Sequence, residues 1–499
     1  MRVYQFRHQR AKASVARVRV RDVKALAEAA VDAALGAGAS YADARAVSLR
    51  RQFVITKKGQ VEDVSDTESE GIGVRVLVDG AWGFAGEGRL DEAAARDAAV
   101  RACAFAHAAP GRHETSLAPV EAQSGEYKTP VERDPFGVPL SEKIDLCLRA
   151  EEGMRHADVK VTVAMVRAQR EHKVLVSSEG AAVEQELVEC GGGIDAYASA
   201  EGISQIRSYP SQHSGVSGQG GWEFVEGLSL DGEAPRVGEQ AAALLRADEC
   251  PAGRTTIVLS PEQVVMQVHE SVGHPTELDR VYGTEAAYAG TSFLSPDDLG
   301  SLRYGSELMN VTADATTPEG LGTFGFDDEG VPARREAIVE GGVLRGFLTS
   351  RETAARIGAG VGGSMRADGW SRMPLVRMTN LHLEPGDGTL EDLLADVDDG
   401  LYLETNKSWS IDDKRLNFQF GTQIAWEVKK GKLGRMLRDA TYTGRTPVFW
   451  SKLDAVGGRD AWRLFGLTNC GKGQPGQEAH VSHGAAPARF RDVEVGVSA

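Results

Sequence analysis

Apolar residues recur along this chain in two rhythms, and the switches between them mark its parts. Val23 to Leu35 reads as an alanine-rich amphipathic helix ended by Gly36 and Gly38. Alternation of apolar and polar residues follows over Ala42–Leu49, Gln52–Thr56 and Gly71–Val78; the last turns at Asp79-Gly80, a hairpin signal, into Ala81–Phe84. A second alanine-rich helix spans Asp91–Ala108, so the order is that of a small α+β layer. Ala109–Pro139 holds several prolines and few apolar runs, and reads as a linker or extended crossing. Ser141 then caps a helix to about Arg155. Lys160–Arg170, Lys173–Ser177 and Ala182–Ala198 alternate as an antiparallel meander with one buried face. Tyr209–Gly221, rich in Ser, Gly and Gln, reads as a mobile loop, and Pro235–Arg246 as a helix leading onward.

The remaining half opens near Gly253 with a strand, Thr255–Leu259, that feeds a well-marked helix. Ser260 and Gln263 have the spacing of a capping box, and Pro261 occupies the first helical position, where a missing N–H costs nothing. Val264, Val265, Val268 and Val272 share one face at about 100° per residue, which predicts burial along that stripe. Further on come a hairpin, Glu336–Glu340 and Val343–Leu348 joined by Gly341-Gly342, short helices at Ser350–Ile357 and Glu391–Ala395, and strands at Gly400–Glu404 and Phe418–Trp426. With 499 residues the chain exceeds one core. The divisions this reading supports are a basic extension over residues 1–21, an N-terminal α+β domain over 22–110, a middle domain with an antiparallel sheet over 111–234, and a C-terminal domain over 235–499.

Composition narrows the function classes. A net charge of -16 disfavours nucleic acid, whose phosphates would be repelled. No apolar run approaches the roughly 18 residues of a membrane span. The five cysteines are too widely spaced for a disulfide framework, which points to a reduced, cytoplasmic protein. Residues 1–21 carry seven basic side chains and no acid, yet lack the apolar centre of a secretory signal; a disordered or over-extended start fits better than a transit peptide.

The chemistry concentrates behind the buried valine stripe. His269, Glu270 and His274 lie within six residues, and buried imidazoles with a carboxylate need partners, of which a divalent metal is the commonest. Histidines at i and i+4 stand roughly 40° apart on a straight helix, whereas i and i+5 stand about 140° apart. Both face one ion only if the helix bulges by a residue or ends between them; Gly273 and Pro275 favour the second route. Two unrelated histidines at a helix end are the bland alternative. Cys470, in a glycine-rich loop with Lys472, is a candidate third ligand, though a lone cysteine is more often a small buried hydrophobe. Asp327, Asp328 and Glu329 alternate faces in extended chain and read as a solvated turn, not a second metal site. Gly358-Ala-Gly-Val-Gly-Gly363 matches the dinucleotide pattern, but a helix precedes it and no helix follows, so it reads as a flexible loop. His480 and His483, three apart on an extended segment, point to opposite faces, which disfavours a ligand role.

Four segments together resemble the TldD/PmbA metallopeptidases, in particular the catalytic TldD-like branch: His269–Asp279, Phe324–Gly330, Pro374–Asn380 with Leu383–Gly386, and Asn469–Lys472. The resemblance runs from Gly38 to the end. It implies zinc held by His269, His274 and Cys470, with Glu270 as the catalytic carboxylate that takes a proton from the attacking water. It also implies a mostly-β C-terminal metallopeptidase domain carrying the zinc-binding helix, within an α+β fold overall. Family members resemble proteases that take unfolded peptides as an extended strand with little sequence preference, in a cleft between two subunits. The implied assembly is a dimer with a PmbA/TldE-like chain or with itself; one dedicated precursor peptide is a narrower substrate for the same chemistry. The rival from another class is a gyrase-modulator-like regulatory binding protein whose zinc is structural.

Overall fold

The computed structural model describes residues 20–109, 115–212, 215–288, 290–473 and 475–496. The basic extension therefore lies outside the described residues except for its last two positions, where the helix Val20–Gly36 has begun. The α+β expectation is borne out in two large bodies, each built on its own sheets.

In the first body the alternating stretches merge into one eight-stranded sheet. Tyr41–Lys57 pairs with Gln60–Val78 on one side and with Val159–Ser177 on the other. Ala182–Ala200 extends the sheet beyond Val159–Ser177, and Ala81–Glu87 closes the opposite end. Residues 42–49 and 52–56 are thus one strand. Its polar middle is satisfied across the sheet, Arg50 by Asp66 at 2.7 Å and Arg51 by Gln169 at 2.7 Å. The stretch read as a linker contributes a strand, Ser124–Lys128, parallel to Ala182–Ala200. The stretch read as a mobile loop contributes Val216–Gln219, paired with Glu189–Gly192. Small residues serve close approach there: a Cβ at Gly191 would lie 2.0 Å from Ser217 Oγ. Helices Val20–Gly36 and Glu92–Ala108 meet the sheet through alanines such as Ala30, Ala34, Ala98 and Ala102. Helices Leu140–Gly153 and Leu230–Leu244 cover the other end around Trp222. The first of these starts directly after Pro139, so Ser141 is inside the helix and not its cap.

In the second body, five strands close on themselves as a barrel: Asp399–Ile411, Gly253–Leu259, Ala488–Val495, Thr441–Arg445 and Asn417–Lys429. A six-stranded sheet lies beside it, ending in Asn380–Leu383, Gln477–Ala485 and, at the edge, Arg463–Lys472. The helix Pro261–Val268 lies between the two and touches strands of both. Its valine stripe is buried as the pattern predicts, in one core with Phe420, Tyr442, Phe490, Leu381 and Val481.

The acidic run overturns its expectation. Asp327, Asp328 and Glu329 are 2%, 1% and 2% exposed. They do alternate faces, but each face meets a cation or backbone N–H groups instead of water. Asp328 reaches Lys173 at 2.7 Å and Arg45 at 3.7 Å, while Glu329 meets Arg75 at 3.2 Å and accepts the N–H of Arg351 at 2.8 Å. Asp327 accepts N–H bonds from Glu329, Val331 and Met365, yet burial and the Glu329 charge push it up to about 8. Three cations from the first body thus engage carboxylates of the second. Removing one partner of such a pair costs about 3–5 kcal/mol, because the other charge stays buried. Asp328→Ala is accordingly expected to lower the unfolding midpoint by several degrees relative to the exposed-site control Asp413→Ala. Equal midpoints would mean that the pairs do not join the two bodies.

Candidate metal centre

The helix Pro261–Val268 does not end between the two histidines; it widens. His269–Gly273 is a single π turn, closed by the His274 N–H on the His269 carbonyl, and His274–Thr276 tightens into a 3₁₀ turn before the chain leaves. An i→i+5 hydrogen bond stacks residue i+5 over residue i, so the 140° separation of a straight helix disappears. The imidazoles meet edge to face with ring centroids 4.8 Å apart. The expected helix stop is therefore replaced by a bulge. Gly273 is required by space: a Cβ there would lie 2.2 Å from Met378 Sδ. The carbonyls that the widening displaces find partners, Ser271 from Tyr304 Oη at 2.5 Å and Gly273 from Thr276 Oγ1 at 3.0 Å. The predicted capping box is not formed. Gln263 donates instead to Tyr442 Oη at 2.9 Å, which ties the helix into the aromatic core, and Ser260 Oγ has no partner among the described residues.

Cys470 arrives from the edge strand Arg463–Lys472. Between Leu467 and Cys470 the register against Gln477–Ala485 slips by one residue, a β-bulge. Bulges re-aim side chains. The ligand atoms of His269, His274 and Cys470 lie within 4.8 Å of one another, all three buried, with Cys470 Sγ 3.8 Å from His274 Nε2. A tetrahedral zinc ion with ordinary Zn–N and Zn–S bonds spaces its ligands roughly 3.3–3.7 Å apart. A small contraction suffices.

The hydrogen bonds of the rings leave the right lone pairs free. The Leu381 carbonyl accepts only, so His483 Nδ1 donates to it, at 3.2 Å. Burial, together with His269 and His382, holds His483 well below its ordinary value, so it is neutral and its Nε2 accepts. His269 Nδ1 is then the donor at 2.7 Å, and its Nε2 is left for a metal. His274 Nδ1 donates to Glu277 Oε2 at 3.0 Å, which frees its Nε2 in the same way. Burial raises Glu277, but Lys472, His274 and Arg280 outweigh it and hold the carboxyl well below its usual range. Burial also raises Cys470, but the Arg377 charge opposes it, and the thiol lies below its ordinary value. Two neutral imidazoles and a thiolate, each oriented by an outer partner, are the donor chemistry of zinc.

Glu270 stands between the two histidines on the π turn and meets Arg415 Nη1 at 2.6 Å. All four residues, with Arg167 and the edge segment 466–471, line one cleft of about 250 Å³. His480 faces away as expected and pairs with Glu189 at 2.5 Å. His483, on the opposite face of the same strand, supports His269 without joining the ligand cluster. The sequence assigns no role to Glu277, Arg377, Lys472 and Arg415, and it disfavours His483 as a ligand. Of these, Glu277 had a local signal, three residues after His274 in a helical stretch. Outer partners of metal histidines typically change affinity about 10–100-fold when removed. His483→Phe is expected to weaken zinc by that factor in a chelator competition, with the protein still folded; unchanged affinity would detach the relay from the metal.

A family model described as PmbA/TldA metallopeptidase matches the chain in three parts: domain 1 over residues 42–106, the central domain over 133–248 and the C-terminal domain over 252–497. A metalloprotease of Methanocaldococcus jannaschii is 30% identical over 451 residues, 90% of this chain and 95% of that protein. A zinc metalloprotease TldD homolog of Saccharolobus solfataricus is 26% identical over 257 residues, 50% of this chain and 54% of that protein. Among solved structures, a Thermotoga maritima protein described as a candidate modulator of a DNA gyrase shares the fold with a TM-score of 0.75 at 19% identity, over 95% of this chain and all (100%) of that one. TldE of Thermococcus kodakarensis does so with a TM-score of 0.69 at 14% identity, over 95% of this chain and 100% of that one. The C-terminal family model spans all the residues of the cluster, and the chain belongs to the PmbA/TldD metallopeptidase family.

Proposed function

We propose that this chain is a zinc-dependent peptidase acting on unfolded or extended peptides with low sequence specificity. In this reading His269, His274 and Cys470 hold the zinc and Glu270 is the general base. The observation that carries it is the placement of the Glu270 carboxylate in the same cleft as the three ligand atoms. When bound, zinc supplies Lewis-acid polarisation of the scissile carbonyl and acidifies a water. Glu270 takes the proton of the attacking water and later delivers it to the departing amine. A thiolate ligand cancels part of the metal's charge, which leaves more of the activation to Glu270.

The edge strand Arg463–Lys472 favours an extended substrate. Among the described residues its one strand partner is Gln477–Ala485, and its segment 466–471 faces the cleft. A peptide added along such an edge is held by main-chain hydrogen bonds that read no side chain. The family membership and the likeness to TldE support a dimer, with a PmbA/TldE-like chain or with a second copy. A thiolate ligand and five cysteines outside any disulfide fit a reduced, cytoplasmic setting. Against a regulatory protein with structural zinc stands the ligand count. Such sites take four protein ligands, and among the described residues the cluster offers three.

Glu270→Gln is expected to keep stoichiometric zinc and to lose cleavage of unfolded peptides by about 10²–10⁴-fold. Full activity in the zinc-loaded variant would remove Glu270 from its role. Chelation should abolish cleavage by the parent protein; if it only lowered the melting temperature, the zinc would be structural.

A further inference from the structure

Arg415 occupies a position that a merely structural ion pair does not explain. It lies at the tip of the hairpin between the barrel strands Asp399–Ile411 and Asn417–Lys429, with φ +61. A bulky side chain rarely adopts this left-handed conformation, and it persists only where the surroundings over-determine it. Here they do. Asp412 accepts from the N–H groups of Leu416 at 2.8 Å and Asn417 at 3.1 Å, and from Asn417 Nδ2 at 2.6 Å. The Arg415 carbonyl accepts from Thr446 Oγ1 at 3.0 Å. The loop after the metal helix binds the same tip, through Thr291 N–H to the Asp413 carbonyl and Phe293 N–H to the Lys414 carbonyl, both at 2.8 Å. Six hydrogen bonds thus fix a hairpin tip in a strained shape, and what that shape does is carry one guanidinium across the cleft to Glu270.

The guanidinium is only partly used when it gets there. A carboxylate frequently engages an arginine fork with two parallel bonds. Among the described residues, Nη1 to Glu270 Oε2 at 2.6 Å is the one hydrogen bond this guanidinium makes, and Nε is buried without a partner. The side chain is 17% exposed and lines the cleft together with the three ligand residues. Trp409, on the same hairpin, faces the cleft and is itself 44% exposed, so the hairpin is a substrate-facing element. The second prong of the fork is therefore unspent, permanently charged, and beside the general base.

We propose that Arg415 is a catalytic residue that touches the substrate: one prong orients Glu270, and the other donates to the scissile carbonyl oxygen as negative charge builds on it. This rests on the peptidase reading. As the water oxygen bonds to the carbonyl carbon, its proton passes to Glu270 and the C=O π pair moves onto the oxygen facing Arg415. Collapse re-forms the C=O, breaks the C–N bond and returns the proton from Glu270 to the amine. Donors placed for a developing oxyanion act on the transition state more than on the bound peptide.

The test uses the full-length zinc-loaded protein with Arg415→Asn and Arg415→Lys. Asparagine tolerates the left-handed turn, so the hairpin keeps its shape while the guanidinium is lost. Zinc content is expected to be unchanged in both. Arg415→Asn should lower kcat by about 10²–10³-fold with little change in KM. Millimolar methylguanidine should restore part of the rate, and Arg415→Lys should fall between. Independently of turnover, a phosphinic peptide, whose tetrahedral anion resembles the attacked carbonyl, should bind Arg415→Asn weaker by the same factor, while a cleavage-product peptide binds both proteins alike. Equal phosphinic-peptide affinity, an unchanged kcat or loss of zinc in Arg415→Asn would each overturn the proposal. If the parent protein cleaves peptides and the variants match it, only the Arg415 role falls. If the zinc-loaded parent neither cleaves peptides nor binds the phosphinic peptide, the peptidase reading falls and takes Arg415 with it.

Discussion

One widened helical turn holds this site together. Two imidazoles five positions apart on a regular helix look away from each other, and only the i→i+5 closure of His274 on His269 turns them to a common point. That closure is unfavourable in isolation, because it spoils regular hydrogen bonding. It is maintained by groups outside the turn: Tyr304 Oη on the Ser271 carbonyl, Trp450 Nε1 on Ser271 Oγ, and Thr276 on the carbonyls before it. The aromatic core of the barrel and the sheet beside it therefore act on His269 and His274 through the backbone of the turn.

Charge provides the second layer. Glu277 is buried among Lys472, Arg280 and Arg377, at 3.4, 3.4 and 3.9 Å. A carboxylate so placed stays ionised, and as an ion it fixes the His274 tautomer. Arg377 also donates to the Cys470 carbonyl and lowers the thiol, so one cation both steadies the edge strand and favours the ligating form of its sulfur. Glu277 beside the turn, and His483 and Arg377 from later in the chain, thus orient the two imidazoles and steady the Cys470 backbone from the outside.

Legibility in the sequence follows the range of the interaction. The buried valine face and the grouping of His269, Glu270 and His274 are legible because their signals are local, a helix period and a short spacing, whereas Cys470 joins the two histidines from about two hundred residues away and no local spacing marks it. The choice between bulge and helix end is not legible, because Gly273 answers to Met378, more than a hundred residues away, rather than to the helix. Alternate residues of a strand point to opposite faces, which disfavours a ligand role for His483; the rule is correct, and one of those faces meets His269. Asp327, Asp328 and Glu329 looked solvated since their cations, Arg45, Arg75 and Lys173, belong to strands far earlier in the chain. Strand Val216–Gln219 was hidden by its small polar residues, which close packing against Gly191 demands.

The central claim is that one zinc ion is held by two imidazoles and a single thiolate, with a position left open toward Glu270. X-ray absorption at the zinc edge of the purified, zinc-loaded protein tests this most directly. Four-coordinate zinc is expected, with two nitrogens at about 2.0–2.1 Å, one sulfur at about 2.3 Å and one further oxygen. A shell without sulfur, or one filled by four protein ligands, would contradict it.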